Sequence, residues 1–161
     1  YTRGVASNSP AAGLSAKQIN YDGSKGSDKA LTLNVQCLSQ GVPLEWGVLL
    51  TAGAITQSSS GSESSKDDSA SSSSGIAAYL QMIDINSGTP TITIEHSANN
   101  SSWSTLLSFT AIANGNEPAA ERKEASGTVN RYLRITSTGT FSNAKFVVAY
   151  RRGETVDDTA Y

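Results

Sequence analysis

Short runs in which apolar and polar residues alternate constrain the fold of this chain more than any other feature. In the clearest early run, Leu31, Leu33, Val35 and Cys37 are separated by single polar residues. Strand-like runs recur at 76–84, 91–96, 103–109, 129–136 and 146–150. A period of two is that of a β-strand with one buried face, and long runs with the helical period are absent. The sequence therefore predicts an all-β protein.

Serine marks a division along the chain. Eleven of the seventeen residues from 58 to 74 are serine, and a segment with so little apolar surface is typical of a linker or exposed loop. We therefore place a boundary at 58–75. The prediction is a C-terminal β-sandwich or jelly roll at 76–152. A flexible arm and a partial β-segment precede the boundary at 1–57, and a tail follows the sandwich at 153–161.

The charge and the cysteine content narrow the class of protein. The formal net charge is −2 and the pI is about 5.3, whereas a dedicated nucleic-acid binder usually carries a basic stripe. The single cysteine, Cys37, has no partner for an intrachain disulfide, and its place in an apolar run predicts a buried thiol. No stretch approaches the ~18 apolar residues of a membrane helix, so no membrane partner is predicted.

Residues suited to catalysis or metal binding are scattered. His96 is the only histidine and has neither a nucleophile partner nor further ligands at metal-site spacing, so we expect an ordinary strand histidine. Glu63, Asp67 and Asp68 lack the alternating pattern of a Ca²⁺ loop and are expected to be solvated. The sequence predicts no catalytic residue, no cofactor and no metal site, and we expect that the protein is not an enzyme.

Two groups of charged residues fit roles at the surface. The mixed-charge run at 121–124 (ERKE) predicts a solvated edge strand whose charges discourage pairing with other chains. Arg131, Arg134, Arg151 and Arg152 would form a basic patch if the last two strands were neighbours. Because the total charge is acidic, we interpret these arginines as solubility or assembly residues.

Two stretches resemble a known family. Residues 25–53, KGSDKALTLNVQCLSQGVPLEWGVLLTAG, resemble the distal part of the major tail, or tail-tube, proteins of long non-contractile-tailed bacteriophages. Within 76–152, the order AYLQM, TITIEHSANNSSWSTL, FTA, ER, GTVNRYLRI and FVVAYRR resembles the β-sandwich that many of these proteins carry after their tube domain. The two stretches cover most of the chain outside the N-terminal arm and the serine-rich segment.

This resemblance implies a virion structural protein: a self-assembling tail-tube subunit, or a segment of one, with an outward-facing sandwich. Such subunits assemble in the host cytoplasm into stacked hexameric rings with other virion proteins, and DNA passes through the channel without specific binding. A complete tube domain should have further strands before residue 25. Either the sequence is a piece of a longer protein, or another subunit completes the fold, or the chain is not a tube subunit. The residues expected at assembly contacts are Leu31, Leu33, Val35, Leu44, Trp46 and Leu49.

Two alternative functions stay open. The chain would also suit a capsid decoration protein or another surface appendage, with residues 1–57 as a docking arm. The 76–152 block also resembles discoidin-like, galactose-binding jelly rolls, in which a turn plus Trp (here HSANNSSW) precedes an RYLRI strand. That resemblance implies a carbohydrate-binding adhesion module, but the resembling residues belong mostly to the scaffold and assign no binding residue. In such a module the candidate glycan contacts would be Trp103, Asn99 and Asn100, with the loop at 114–117. Packing is the favoured role of Trp103, and a hairpin turn is the favoured role of the asparagines.

Overall fold

The computed structural model describes residues 2–25 and 31–153, without the side chains of Tyr21, Leu31, Thr32, Leu33 and Val35. The regular elements in these ranges are β-strands, which confirms the predicted all-β class. None of the described residues forms a helix long and apolar enough to cross a membrane. The strands are β1 (Pro10–Gly13), β2 (Ala16–Lys25), β3 (Leu31–Ser39), β4 (Glu45–Leu49), β5 (Ile55–Gln57), β6 (Gly61–Ser62), β7 (Lys66–Asp67), β8 (Ile76–Gly88), β9 (Thr91–Ser97), β10 (Ser104–Ser108), β11 (Ala119–Ala125), β12 (Tyr132–Thr138) and β13 (Phe141–Arg152).

Two antiparallel sheets pack face to face as a sandwich. The first sheet has the strand order β1-β4-β13-β8-β11, and β5 also pairs with β13. The second sheet has the order β10-β9-β12, and the short strands β6 and β7 both pair with β12. Apolar side chains at alternate positions of the strands meet between the sheets and form the core. Its fully buried members include Leu80, Met82, Ile94, Leu133 and Phe146.

The longest strand pair, β8 with β13, forms the centre of the first sheet and runs from Gly88 opposite Phe141 to Ile76 opposite Arg152. Gly88 has a φ of 85°, and a Cβ at this position would collide with the carbonyl of Thr140. Glycine adopts this backbone conformation without strain and leaves room for the neighbouring chain. It therefore permits the close approach at which the long pair begins.

The serine-rich segment is part of the sandwich, which differs from the predicted boundary at 58–75. Strands on both sides of the segment lie in one sheet, because β4 and β5 pair with β13. Within the segment, the N–H groups of Glu63 and Asp68 donate to the carbonyls of Ile135 (2.9 Å) and Arg131 (3.1 Å). Backbone hydrogen bonds need no apolar side chains, so a polar composition does not prevent this segment from joining a sheet.

The predicted edge position of 121–124 is confirmed, since these residues lie in β11 at the edge of the first sheet, but Arg122 is largely buried and not solvated. Other side chains of β11 reach across to the edge of the second sheet. Glu121 accepts hydrogen bonds from the N–H (2.7 Å) and the hydroxyl (2.8 Å) of Thr110, and Lys123 donates to the carbonyl of Ser108 (2.8 Å). Charged side chains thus close this side of the sandwich, an arrangement that discourages strand addition.

Strands β2 and β3 form a separate two-stranded sheet, which we call the ribbon. The ribbon continues the pairing of β1 with β4, in which Gly13 is opposite Glu45. Where the ribbon begins, the N–H of Gln40 donates to the carbonyl of Ser15 (3.0 Å). In the described part of the chain, no other strand pairs with β2 or β3. Part of the predicted flexible arm is therefore β-structure that extends away from the sandwich.

Candidate functional site

Exposed apolar side chains are concentrated on the ribbon and where it joins the sandwich. Five of the seven large apolar side chains exposed in the described residues lie between positions 14 and 46: Leu14, Ile19, Leu38, Leu44 and Trp46. Leu38, within the ribbon, is 62% exposed, and Trp46, at its root, is 52% exposed. Apolar surface that is clustered rather than scattered marks an interaction site. The ribbon is therefore the candidate functional site.

The two strands of the ribbon differ in charge and in regularity. β2 carries Lys17, Asp22 and Lys25, and a bulge between Gln18 and Asn20 interrupts its pairing. β3 has the sequence LTLNVQCLS and carries no charged residue. Charges and bulges are devices that protect a strand edge from pairing with other chains. Only β2 has them, so the edge of β3 is the less protected one.

A buried charge network fixes the root of the ribbon to the sandwich. Glu45, the first residue of β4, is only 8% exposed. Arg122 on β11 donates to both of its carboxylate oxygens, from Nε (2.8 Å) and from Nη2 (3.0 Å). The Tyr79 hydroxyl on β8 also donates to Glu45, and the Arg151 guanidinium on β13 lies 3.7 Å away. Four strands of the first sheet are thereby joined at the point where the ribbon leaves it.

The charge states in this network follow from its geometry. Burial raises the pKa of Glu45, but the hydrogen bonds from Arg122 and Tyr79 and the charges of Arg122 and Arg151 outweigh that effect, so the pKa lies below its ordinary value. Burial, together with the hydrogen bond to Glu45, raises the pKa of Tyr79 to about 12. Glu45 is therefore a carboxylate and Tyr79 a protonated donor across the neutral range.

Gly13 gives the network its room. A Cβ at this position would lie 2.5 Å from the ring of Tyr79, closer than side chains approach one another. The ring therefore lies against the backbone of β1, and its hydroxyl reaches Glu45 on the neighbouring strand. A glycine was visible in the sequence at this position, but nothing local showed that an aromatic ring would cover it.

The predicted assembly residues fall into three groups. Leu31, Leu33 and Val35 are positions of β3, and their side chains lie outside the described residues. Leu44 and Trp46 are exposed at the root of the ribbon and are available for contact. The prediction for Leu49 is wrong, because this side chain is fully buried within its own chain.

The segment before β1 explains the burial at Leu49. The N–H of Leu49 donates to the carbonyl of Ser9 (2.9 Å), and the N–H of Asn8 donates to the carbonyl of Leu49 (3.0 Å). The segment at 2–9 thus runs beside β4, and Leu49 has no surface to offer a second copy.

The prediction that Cys37 is a buried thiol is also wrong. Cys37 lies on β3 and is exposed. The alternation around it is that of a half-buried strand, but in the described residues β3 pairs only with β2. The sequence pattern therefore predicted the strand correctly but assigned Cys37 to the wrong environment.

A second buried charge cluster ties the serine-rich segment to the sandwich. Asp68 accepts hydrogen bonds from the Tyr150 hydroxyl (2.6 Å) and from Nε of Arg152 (2.7 Å), and it forms an ion pair with Lys66 (2.6 Å). Lys66 also donates to Tyr150. Burial lowers the pKa of Lys66, and burial with the hydrogen bond to Asp68 raises the pKa of Tyr150.

The expectation of simple solvation is therefore wrong for Asp68, whereas Asp67 is exposed and forms an ion pair at the surface. Besides the cluster at Asp68, Asp67 accepts two hydrogen bonds of 2.6 Å from Arg131. The hydrogen bonds from Arg131 lower the pKa of Asp67 from 3.8 to about 2. Both partners lie more than sixty positions away in the sequence, and no local signal pointed to them.

The arginines of the predicted basic patch all have a carboxylate partner, although Arg151 shares Glu45 with Arg122 and Arg152 shares Asp68 with Lys66. Each is paired with a carboxylate: Arg131 with Asp67, Arg134 with Glu95, Arg151 with Glu45 and Arg152 with Asp68. A patch whose guanidinium groups already have anionic partners attracts phosphate weakly. The arrangement favours a structural role for these arginines, which the sequence did not indicate, over a nucleic-acid interface.

Two of the three predicted glycan contacts, Trp103 and Asn99, have partners within the chain. Trp103 is half-buried, and the guanidinium of Arg134 lies over its ring at 4.2 Å from the centroid. The side-chain oxygen of Asn99 accepts hydrogen bonds from the N–H groups of Ser101 (3.0 Å) and Ser102 (2.9 Å). Asn100 is exposed with a φ of 60°. The three residues form the β9–β10 turn and its support, as their turn chemistry predicts.

His96 and the remaining acidic residues build no metal site in the described part of the chain. Nδ1 of His96 accepts a hydrogen bond from the N–H of Asn130 (3.2 Å). Burial and the nearby charge of Arg152 lower the pKa of His96. No group of three or more His, Cys, Asp and Glu side chains in residues 2–25 and 31–153 is placed to hold a metal ion.

Comparison with known proteins adds no family to this description. No protein-family model matches the chain, and no curated protein matches it. The function is therefore inferred from the geometry of the ribbon and from the sequence.

Proposed function

We propose that this protein is a structural subunit that self-assembles, and that the ribbon is its assembly arm. The observation that carries the proposal is the concentration of exposed apolar side chains on and beside a pair of strands that nothing else in the described residues covers. Clustered apolar surface of this kind is typical of protein–protein contacts. The arm meets its partner when subunits associate.

Association would also stabilise the arm itself. A two-stranded hairpin without a packing partner is marginally stable at best in water. Fully burying a side chain such as Leu38 or Ile19 is worth about 1.5–3 kcal/mol relative to leaving it exposed. A few such contacts with a second copy supply the stabilisation that the ribbon does not receive from its own sandwich.

The root of the ribbon suits an arm that must keep its direction. Glu45, Tyr79 and Arg122 join β4 to the centre and the far edge of the first sheet. A buried carboxylate that accepts two hydrogen bonds from one guanidinium group and a third from a hydroxyl has a well-defined geometry. The arm is therefore attached at a rigid point and not at a loose loop.

The resemblance to tail-tube proteins supports a place for this subunit in a virion tail. In this proposal, copies of the chain surround a channel through which DNA passes, and the sandwich faces outward. The net charge of −2 suits a surface that DNA slides past without binding, because no excess of cations holds the phosphates. A capsid decoration protein would use the same arm, and an image of the assembled particle separates the two locations.

The proposal is tested by removing the ribbon. Residues 16–39 are replaced by Asn-Gly, because Ser15 and Gln40 are already joined by a hydrogen bond and such a dipeptide forms a tight turn. We expect the full chain to form concentration-dependent oligomers in light scattering and regular particles in electron microscopy. The shortened chain should stay monomeric with the thermal midpoint of the sandwich nearly unchanged.

A matched control uses an exposed apolar residue of the sandwich. Ile83 on β8 is exposed, and Ile83→Ser should leave assembly as it is in the unmodified chain. A full chain that stays monomeric at high concentration, or a shortened chain that assembles normally, would overturn the proposal.

A further inference from the structure

The geometry points to the way in which two copies meet: we propose that β3 of one ribbon pairs, antiparallel and edge to edge, with β3 of a second copy around a two-fold axis at Asn34. The inference rests on the proposed function and deepens it, because it names both the partner and the contact. The product is a four-stranded sheet in the order β2-β3-β3-β2, half from each copy.

In the described residues, the sandwich offers no suitable strand edge with which a ribbon could pair. The edges formed by β10 and β11 are tied together through the side chains of Glu121 and Lys123. The outer edge of β1 is bonded to the N-terminal segment, where the N–H of Arg3 donates to the carbonyl of Pro10 (2.8 Å). The strands β6 and β7 are two residues long each. β11 is regular over seven residues but carries four charged ones, so among the described strands the edges left for pairing are those of the ribbon.

The two edges of the ribbon, on β2 and on β3, differ in how well they suit pairing with another strand. β2 has three charged residues, one glycine and the bulge. β3 has nine consecutive residues, all paired with β2, and none of them is charged. Strand addition needs a regular row of backbone donors and acceptors, and charges or bulges oppose it. The edge that favours pairing is therefore that of β3.

The sequence of β3 indicates that the partner is a second copy of the chain. From 31 to 37 the sequence reads LTLNVQC, so apolar positions 31, 33, 35 and 37 and polar positions 32, 34 and 36 are symmetric about Asn34. Antiparallel pairing of this strand with itself places 31 opposite 37 and 33 opposite 35. Apolar positions then face apolar positions on one side of the sheet, and no like charges meet. A strand with this pattern is complementary to itself, which is what a two-fold contact requires.

The contact between the two β3 strands buries a small area and is expected to have a low affinity on its own. A strand of nine residues is about 30 Å long, and an edge contact of roughly 10 Å width along it buries some 300 Å² per copy, well under the ~800 Å² per partner of a standard stable interface. We therefore expect a weak dimer that becomes stable only in a larger assembly, where many contacts act together. A two-fold contact joins copies only in pairs, so the closed rings that the tail-tube resemblance implies need a second, head-to-tail contact between neighbours.

The test uses Cys37 as the only thiol of the chain. In Leu31→Cys, each new thiol lies opposite Cys37 of the second copy, and directly opposed residues of an antiparallel pair are about 4.5–5.5 Å apart at Cα, within disulfide reach. Inside one chain the two cysteines are six positions apart on a strand, about 20 Å, so any disulfide joins two copies. Diamide oxidation followed by a non-reducing gel should convert most of this variant to covalent dimer.

Lys25→Cys is the matched control. Lys25 is the register partner of Leu31 on β2, one strand further from the second copy, so its Cα would lie roughly 10 Å from the opposing Cys37. This variant and the unmodified chain should stay mostly monomeric on the gel. In parallel, hydrogen exchange on the unmodified chain should show that concentration protects the amides of β3 and leaves those of β2 unchanged, a measurement that needs no variant to fold.

The outcomes separate this contact from the proposed function. If the full chain assembles and the chain without residues 16–39 does not, while Leu31→Cys forms no more covalent dimer than Lys25→Cys, this pairing is overturned and the assembly arm stands. Protection of β2 instead of β3 would overturn the pairing in the same way. If the full chain is monomeric at every concentration, both proposals fail.

Discussion

The sandwich and the ribbon are made of similar strands but differ in where their apolar rows go. In the sandwich, the rows of β8, β9, β12 and β13 face one another and are fully buried. In the ribbon, Cys37 of the apolar row on β3 is exposed, and so are Ile19 and Leu38, so no strand in the described part of the chain covers these three side chains. Alternation therefore predicts a strand with one apolar face, but it does not say whether the same chain or another one buries that face.

The two regions also manage their edges differently. The sandwich closes its edges by the bonds of Glu121 and Lys123 across to β10 and by the N-terminal segment along β1. The ribbon has charges and a bulge on β2 and neither on β3. Among the described strands, β3 therefore has the edge that is best suited to the proposed contact.

The largest expected difference between the two regions is in the cost of truncating an apolar side chain. Phe146 is fully buried in the sandwich core, so Phe146→Ala should lower the free energy of unfolding by about 3–5 kcal/mol. Leu38→Ala in the ribbon should change it by no more than about 0.5 kcal/mol. Urea denaturation of the dilute, monomeric protein followed by circular dichroism measures both. Equal losses would mean that the ribbon folds as part of the core.

The root of the ribbon is where the comparison is sharpest. Arg122→Ala leaves the buried Glu45 carboxylate without its bidentate donor, and we expect a loss of roughly 2–4 kcal/mol in the free energy of unfolding. Glu124→Gln removes an exposed partner of the same arginine and should change stability by less than about 1 kcal/mol. Denaturation curves of the two variants provide the measurement. Similar values for both would show that the network is not what anchors the ribbon.

A smaller effect is expected at the β9–β10 turn, which belongs to the second sheet and not to the sheet that carries the ribbon. Asn99→Ala removes the acceptor for the N–H groups of Ser101 and Ser102 and should cost about 1 kcal/mol of stability. Assembly measured by light scattering should not change. A loss of assembly in this variant would place the contact on the sandwich instead of the ribbon.

The smallest expected effect is the loss of stability in acid that is due to Asp67, a residue of the sandwich. The pKa of Asp67 is lowered in the folded chain to about 2 from 3.8, so its contribution to stability is present above pH ~4 and is lost as the pH falls towards 2. Asp67→Asn should make the thermal midpoint less dependent on pH between these values. Midpoints recorded by circular dichroism across the range test this, and an unchanged slope would contradict the role of the Arg131 contact.

Sequence patterns predicted the strands, the edge at 121–124 and the Asn-Ser turn, because each depends on neighbouring residues. They misplaced Cys37 and Leu49, since alternation does not say which surface covers a strand. They missed Asp68 and Glu45, whose arginine partners are 84 and 77 positions away. Long-range pairs of this kind depend on the strand order, which local patterns do not contain.

The attachment of the serine-rich segment has a consequence for how this protein can vary between relatives. The segment is held by its backbone along β12 and by Lys66, Asp67 and Asp68, which must each reach a fixed partner. Exchange of many of its serines for other small polar residues should leave these contacts intact. Insertion or deletion of a single residue would instead move Asp68 away from Tyr150 and Arg152. The segment should therefore drift freely in composition while its length stays constant.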